Sequence, residues 1–471
     1  MLDLNLLRVQ LDKTGKKAVY IQIADCIVRL IENGTLKPGE PMPGTRQIAA
    51  GLGVNRNTVV QSFEILLVEG WLISEERKRT YVSDRMPISP ANEKDEIRLP
   101  ATEIYRKDLL FFDDGLPDAS CAPMEELARA YRRILSRKAR CQVMNLASEF
   151  GDEKFRHVIS MMLNQTRGLR TSSHEVCITR GSQMALFLTA HCLLRRGDVI
   201  LVENPGFKPA WEAFEHAGAF IIPVSVDDEG IDVAEVEAIL KKREVKAVYL
   251  TPHHQYPTTV TLSLARRVKL VELSNRYGFT IVEDDYDNVF HFSQHPVLPI
   301  SSFESLDKSN YVYIGSLSKL IAPAIRVGYI AASPRFINKI GQLRKIVDAQ
   351  GDTMMEQSIM ELVGDGDIRR HQKRMLAHYE RKRDYFASLL DHYLADKVVY
   401  KKPDSGLAFW IKPASDTDLF RLKQQANAQL VSFYTPDRFS FASPVVGLRL
   451  GYASLSEVEL RNGVEVLSRF L

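Results

Sequence analysis

The segment SLSKLIAPAIRVGY, residues 316–329, sets one lysine, Lys319, behind two hydroxyls, Ser316 and Ser318, and seven residues ahead of Arg326. Its flanks are apolar, so the amine is either an awkward surface residue or a chemical tool. An ε-amine stripped of water, or set beside other cations, becomes a nucleophile and condenses with an aldehyde to a Schiff base. Arg326 adds a fixed cationic fork for an anion. The stretch FTIVEDDYDNVF, residues 279–290, ends an apolar strand in acids. The two-residue period of a strand turns Asp284 and Tyr286 to one side and Glu283 and Asp285 to the other. Asp284 can then keep a ring nitrogen protonated, and Tyr286 can hydrogen-bond a phenolic oxygen.

Two more stretches extend the set. ITRGSQMALFLTAH, residues 178–191, runs from a strand through Gly181, Ser182 and Gln183 into a helix whose free amides suit a phosphate. Phe207, in ENPGFKPAW, follows a tight turn and offers a stacking face. Singly, each stretch reads equally as a strand-end cap, a helix cap or a core aromatic. Together they supply what pyridoxal 5'-phosphate requires: an amine, an acid for the ring nitrogen, a phosphate cradle and a platform.

The elements that must position these residues alternate in type. Apolar strands are expected at DVILVE, FIIPVSV, KAVYL, FTIVED, YVYIGS and VGYIAAS, with helices such as Leu264–Tyr277 between several of them. That rhythm predicts an α/β domain over 106–334 with a mainly parallel sheet covered on both faces. The charged, then mixed, stretch 335–471 predicts a smaller α+β C-terminal subdomain.

The front of the chain is of another kind. Ile23, Ile27, Leu30 and Ile31 recur at helical spacing, the turn PGEPMPG follows, and Thr45 can cap a short helix through Leu52. GLGVN makes a tight turn into a second helix over 55–69, and WLISEERKRTYVS alternates around a charged tip. Residues 1–83 therefore predict a winged helix-turn-helix, and the proline-containing, charged stretch 84–105 a linker. With Val59, Phe63, Leu66 and Leu67 packed inward, Asn55, Arg56, Asn57 and Thr58 face solvent at the helix N-terminus, where such helices meet base edges. Thr45 and Arg46 are placed for a phosphate, and Arg77, Lys78 and Arg79 for backbone or minor-groove contact from the wing tip. A winged helix serving protein contact is the plainer alternative.

Bulk properties bound these expectations. The 471 residues suffice for two or three domains, and a net charge of +3 puts any nucleic-acid binding in a local patch. No signal peptide or membrane-length apolar span is read. Five cysteines without a CxxC pair fit a reducing cytoplasm, and no metal is expected.

The stretch from YIQIADC to EGWL resembles the GntR-type winged helix over nearly its full length, departing at the wing, where ERKR stands in place of glycines. From about Leu109 to Leu471 the chain is similar to fold-type I aminotransferases of the aspartate aminotransferase group. SLSKLIAPAIRVGY is the most specific element, Lys319 matching the Schiff-base lysine and Arg326 the phosphate arginine; Asp284, Tyr286, Ser182, Gln183 and Phe207 take the corresponding cofactor roles. In TPHHQYPTTV, Tyr256 and Thr259 stand where those enzymes show the asparagine and glycine of Asn-Pro-Thr-Gly, which weakens the expectation of turnover. Arg449 matches the aminotransferase carboxylate arginine and Arg438 the arginine used by GabR-type regulators; both stay open. The fusion resembles the MocR/GabR family. That resemblance implies a cytoplasmic, pyridoxal-phosphate-dependent transcription regulator, a head-to-tail homodimer on a double-stranded operator. It would sense an amine or amino-acid effector, or the cofactor itself, through an aldimine at Lys319. The alternative is a working aminotransferase with an accessory DNA-binding domain.

Overall fold

The computed structural model describes residues 17–74, 79–84, 108–136, 145, 147–292, 297–307, 310–414, 417–441 and 445–471. The chain divides into two compact units, Met1–Ile104 and Tyr105–Leu471.

In the first unit, helices Val19–Glu32, Thr45–Leu52 and Arg56–Val68 precede strands β1 (Leu72–Ser74) and β2 (Thr80–Val82), which pair antiparallel with Leu72 opposite Val82. Ile23, Ile27, Leu30 and Ile31 form the buried stripe of the first helix and pack with Ile48, Leu52, Val59, Phe63 and Leu66. The buried Ser62 hydroxyl ties the third helix to the first, donating to the Tyr20 carbonyl at 2.8 Å. The turn between the second and third helices is made by Gly53 at φ 64°, a conformation that destabilises a side-chain-bearing residue by about 1–2 kcal/mol. Thr45 does not cap. Gly44 takes the extended flanking position and Thr45 is already the first helical residue, so its hydroxyl makes no capping bond. Apart from Asp84, the linker expected over 84–105 lies outside the described residues.

The second unit contains β3 (Leu110–Phe112), β4 (Val176–Thr179), β5 (Val199–Asn204), β6 (Phe220–Asp227), β7 (Gly230–Ile231), β8 (Ala247–Leu250), β9 (Thr280–Asp285), β10 (Tyr311–Ser316), β11 (Gly328–Ala332), β12 (Val398–Tyr400), β13 (Ala408–Pro413), β14 (Val431–Phe433) and β15 (Leu448–Gly451). The main sheet has the order β4-β11-β10-β9-β8-β5-β6-β7. Its central strands run parallel, while β11 is antiparallel to both β10 and β4, and β7 to β6. Every residue of β8, β9, β10 and β11 is buried, as a sheet covered on both faces demands. Alternate residues serve the two faces: Val282, Ile314 and Ile330 pack with helix Gly181–Leu193, and Ile281, Tyr313 and Tyr329 share the other core with helix Leu264–Tyr277.

A three-stranded antiparallel sheet, β12-β13-β15, accompanies the long helix Asp367–Leu394 near the C-terminus. Tyr105–Leu471 is one compact unit, and elements on either side of the expected boundary at 334/335 share its cores. Helix Pro334–Val347 packs through Ile337 and Ile340 into the large-sheet core, because its apolar face matches that sheet. In addition, β3, expected with the large domain, pairs in parallel with β14.

Candidate functional site

The carboxyl ends of parallel strands form the usual ligand edge of an open α/β sheet, and the chemically distinctive residues converge there. A cavity of about 190 Å³ is lined by Lys319, Asp284, Tyr286, Ser182, Ser316, Ser318, Arg326, Phe207 and Tyr256, together with Asp114, Leu116, Tyr249, Thr251 and Pro323.

Asp284 ends the buried strand β9. Burial lifts its carboxyl to about 7, against the hydrogen bond from Tyr249 and the charge of Lys319. The Tyr249 hydroxyl donates to Oδ2 at 3.1 Å, while Oδ1 is buried and without a hydrogen-bond partner. A lone buried carboxylate oxygen is costly unless a donor arrives. Glu283 and Asp285 point the other way: Glu283 accepts from the amides of Ile300 and Ser301, each at 2.9 Å, and Asp285 from Arg167 and Tyr313.

At the other end of the cavity, Gly181 lies at φ +75° and a Cβ there would sit 2.5 Å from Arg326 Nη2. The missing side chain is therefore the space in which the Arg326 guanidinium lies. Arg326 itself adopts a left-handed φ of 52° and donates to the Arg180 carbonyl at 3.3 Å. Ser182, Ser316 and Ser318 also line the cavity. Gln183 does not: it is exposed, and its side-chain amide donates to the Pro209 carbonyl at 3.2 Å. The helical turn carries it away from the cavity.

Lys319 Nζ lies 3.1 Å from Asp287 Oδ2 and 4.8 Å from the centre of the Tyr286 ring. Phe207 and Tyr256 meet edge to face at 5.2 Å. An amine, an unsatisfied buried carboxylate oxygen, a cationic fork in a glycine-made recess and an aromatic wall fit pyridoxal phosphate. Asp284 would meet the ring nitrogen, Ser182, Ser316, Ser318 and Arg326 the phosphate, and Lys319 the aldehyde.

Neither candidate carboxylate arginine lines the cavity. Arg449 is fully buried on β15 behind Tyr256 and Tyr286. It donates to the carbonyls of Asp114 and Pro257, each at 2.9 Å, and to the Tyr286 hydroxyl at 3.3 Å. Arg438 is exposed over the Tyr434 ring at 4.3 Å. Thr259 stands at φ 63°, the left-handed conformation natural to the glycine it replaces.

In the first unit, Asn55 caps the third helix, its side-chain oxygen accepting from the Asn57 amide at 2.9 Å. Asn55, Arg56 and Asn57 are exposed and Thr58 half-buried; Arg46 and Arg79 are also exposed, whereas Arg77 and Lys78 lie outside the described residues.

Sequence reading missed Asp114, Leu116, Tyr249, Thr251 and Pro323 in the cavity wall, and the Asp287–His254 pair behind Lys319. Tyr249 and Thr251 had a signal, since they follow one another at two-residue spacing across the end of β8.

Fold and site together define a fold-type I, pyridoxal-phosphate-dependent body carrying a DNA-reading winged helix, a transcription regulator by class. The model "Aminotransferase class I and II" matches residues 116–467, and "Bacterial regulatory proteins, gntR family" matches residues 19–82. The chain belongs to the aminotransferase class I and II family, in its MocR/GabR branch of regulators. It is 27% identical to the probable rhizopine catabolism regulatory protein MocR of Rhizobium meliloti, over 98% of this chain and 95% of that one. It is 30% identical to the 2-aminoadipate transaminase of Thermus thermophilus, over 78% and 91%. Among solved structures, LysN, the alpha-aminoadipate aminotransferase of Thermus thermophilus complexed with N-(5'-phosphopyridoxyl)-L-leucine, superposes with a TM-score of 0.71 at 27% identity, covering 77% of this chain and 92% of that one.

Proposed function

We propose that this regulator senses an amine or amino acid through the Lys319 cavity and changes its grip on an operator in response. It acts in the cytoplasm as a head-to-tail homodimer that presents two readers to paired half-sites. One observation carries the reading: a single chain joins a lysine facing an unsatisfied buried carboxylate oxygen to a helix N-terminus displaying Asn55, Arg56 and Asn57.

Bound pyridoxal phosphate supplies an aldehyde for amine capture and a ring that withdraws electrons. The chain's own residues do the rest. Asp284 holds a proton donor at its free oxygen, Arg326 and the serine hydroxyls fix an anion, and Phe207 and Tyr256 exclude water from one side. Arg449, held by two carbonyls and the Tyr286 hydroxyl, is the nearer cation for an effector carboxylate. Asn55, Arg56, Asn57 and Thr58 read base edges, and Thr45, Arg46, Arg77, Lys78 and Arg79 meet the backbone.

The test follows two signals together. Amines and amino acids are titrated into cofactor-loaded protein while the visible spectrum and the affinity for DNA upstream of its own coding sequence are measured. The reading expects both to move with one midpoint; a spectral change that leaves operator affinity and geometry unaltered defeats it. Arg56→Ala should weaken that DNA more than random DNA, whereas equal losses would make Arg56 a phosphate contact. Tyr256 and Thr259, in place of the usual asparagine and glycine, favour the sensor over a working aminotransferase. Sustained turnover with a keto-acid acceptor would favour the enzyme.

A further inference from the structure

Behind Lys319 lies a pair of buried ionisable residues to which the reading above gives no task. Asp287 is fully buried, and its Oδ2 faces two partners at once: Lys319 Nζ at 3.1 Å and His254 Nδ1 at 3.4 Å. The His254 side chain is 1% exposed, and both its ring nitrogens, like both Asp287 oxygens and Lys319 Nζ, are buried without a hydrogen-bond partner, so the two approaches are ion-pair contacts. The close approach depends on Gly406, at φ +77°, where a Cβ would lie 1.9 Å from His254 Cε1 and 2.5 Å from Asp287 Oδ2. A carboxylate this deep needs a cation beside it, and the lysine can serve only while it keeps its charge.

We propose that the His254–Asp287 pair positions Lys319 and holds its proton. Asp287 is the anion that steadies the free ammonium, and His254 takes the proton through the shared oxygen when the amine is needed for attachment. The exchange is internally balanced. Lysine ammonium plus neutral imidazole becomes lysine amine plus imidazolium, no charge leaves the site, and Asp287, which carries the proton across, begins and ends as an anion. The inference rests on Lys319 being the point of cofactor attachment.

The groups facing the pair oppose a charged His254 for as long as Lys319 keeps its proton. Burial, reinforced by the positive charges of Arg449 and Lys319, with His253 and His291 also near, holds His254 well below the ordinary imidazole range. Arg449, Lys319 and the histidines are the titratable neighbours acting on the imidazole, and Asp287 acts in turn on the Tyr286 and Tyr452 phenols, on His253 and on Arg449. Discharging Lys319 removes one of the repulsions from His254, so loss of the lysine proton and its gain by the histidine favour each other.

The test uses the full chain, freed of cofactor, and pyridoxal 5'-phosphate as the probe. Capture is followed across pH by the visible band of the lysine-bound cofactor and by the mass increase after borohydride reduction. Asp287→Asn removes the anion that retains the proton and should lower the pH midpoint of capture by ~1 unit or more. His254→Gln keeps a hydrogen-bond donor but no proton acceptor, and should raise the midpoint and slow capture roughly tenfold near neutrality. Opposite shifts from adjacent residues are not what loosened packing gives. Parent-like midpoints in both variants, or parallel losses at every pH with no shift, overturn the proposal. Circular dichroism establishes that each variant is folded, and His254→Gln decides the matter on its own should Asp287→Asn fail to fold. Failure of the underlying reading looks different: the parent then gains no mass, or Lys319→Ala gains as much as the parent.

Discussion

The recess at Gly181 gives a sharp prediction, because a single methyl group should separate phosphate binding from folding. In Gly181→Ala the new Cβ would meet Arg326 at 2.5 Å from Nη2 and 2.7 Å from Cζ, on a backbone at φ +75°. The guanidinium must move aside, losing a charge-assisted bond to the cofactor phosphate that is worth about 1.5–3 kcal/mol. Cofactor affinity should therefore fall about 10- to 150-fold. The left-handed backbone adds about 1–2 kcal/mol of strain to the folded state, which for a unit of this size lowers the melting midpoint by about 1–3 °C. Fluorescence titration of the cofactor-free chain with pyridoxal phosphate reads the first effect and a thermal melt without cofactor reads the second. A variant that melts earlier yet binds the cofactor within about threefold of the parent would show that Arg326 does not hold the phosphate from this position.

Other outcomes follow from the same geometry. Asp284 is pushed up to about 7 by burial, so the native state holds a proton that the unfolded chain releases near pH 4. The stability linked to this group is complete in acid and is lost as pH rises through about 4 to 7. Asp284→Asn should thus gain on the cofactor-free parent in melting temperature from pH 5 to pH 8, and a constant difference across that range would contradict the assignment. Asn55→Ala removes the cap of the third helix and about 1 kcal/mol with it. Hydrogen exchange in Arg56–Val68 should then quicken about fivefold, and unchanged protection would mean that the Asn57 amide finds another acceptor.

Local regularities were legible in the chain wherever one element determines the outcome. The two-residue period alone separated Asp284 and Tyr286 from Glu283 and Asp285, and the strands at 199–204, 280–285 and 311–316 announce themselves by short apolar or aromatic stretches, VILV, IV and YVYI, that open into polar or glycine residues. Residues whose roles depend on the exit direction of a turn were misplaced. Gln183 follows Ser182 directly, but the first turn of its helix points it at Pro209, and Thr45 lost the capping position to Gly44 by one residue. What was illegible depends on long-range packing. His254, Asp287 and Lys319 belong to separate loops, and their meeting is permitted by Gly406, far along the chain. Nothing in the local pattern of residues 251–260 or 279–290 announces that partner.

The parallel pairing of Leu110–Phe112 with Val431–Phe433 gives the second unit an unusual point of entry. The polypeptide arriving from the N-terminal side is stitched first to the C-terminal layer, and only two residues after Phe112 it becomes cavity wall at Asp114, whose carbonyl grips Arg449. A displacement of Arg449 would therefore be felt at Asp114, and through it at the pairing of β3 with β14, before it reached the eight-stranded sheet.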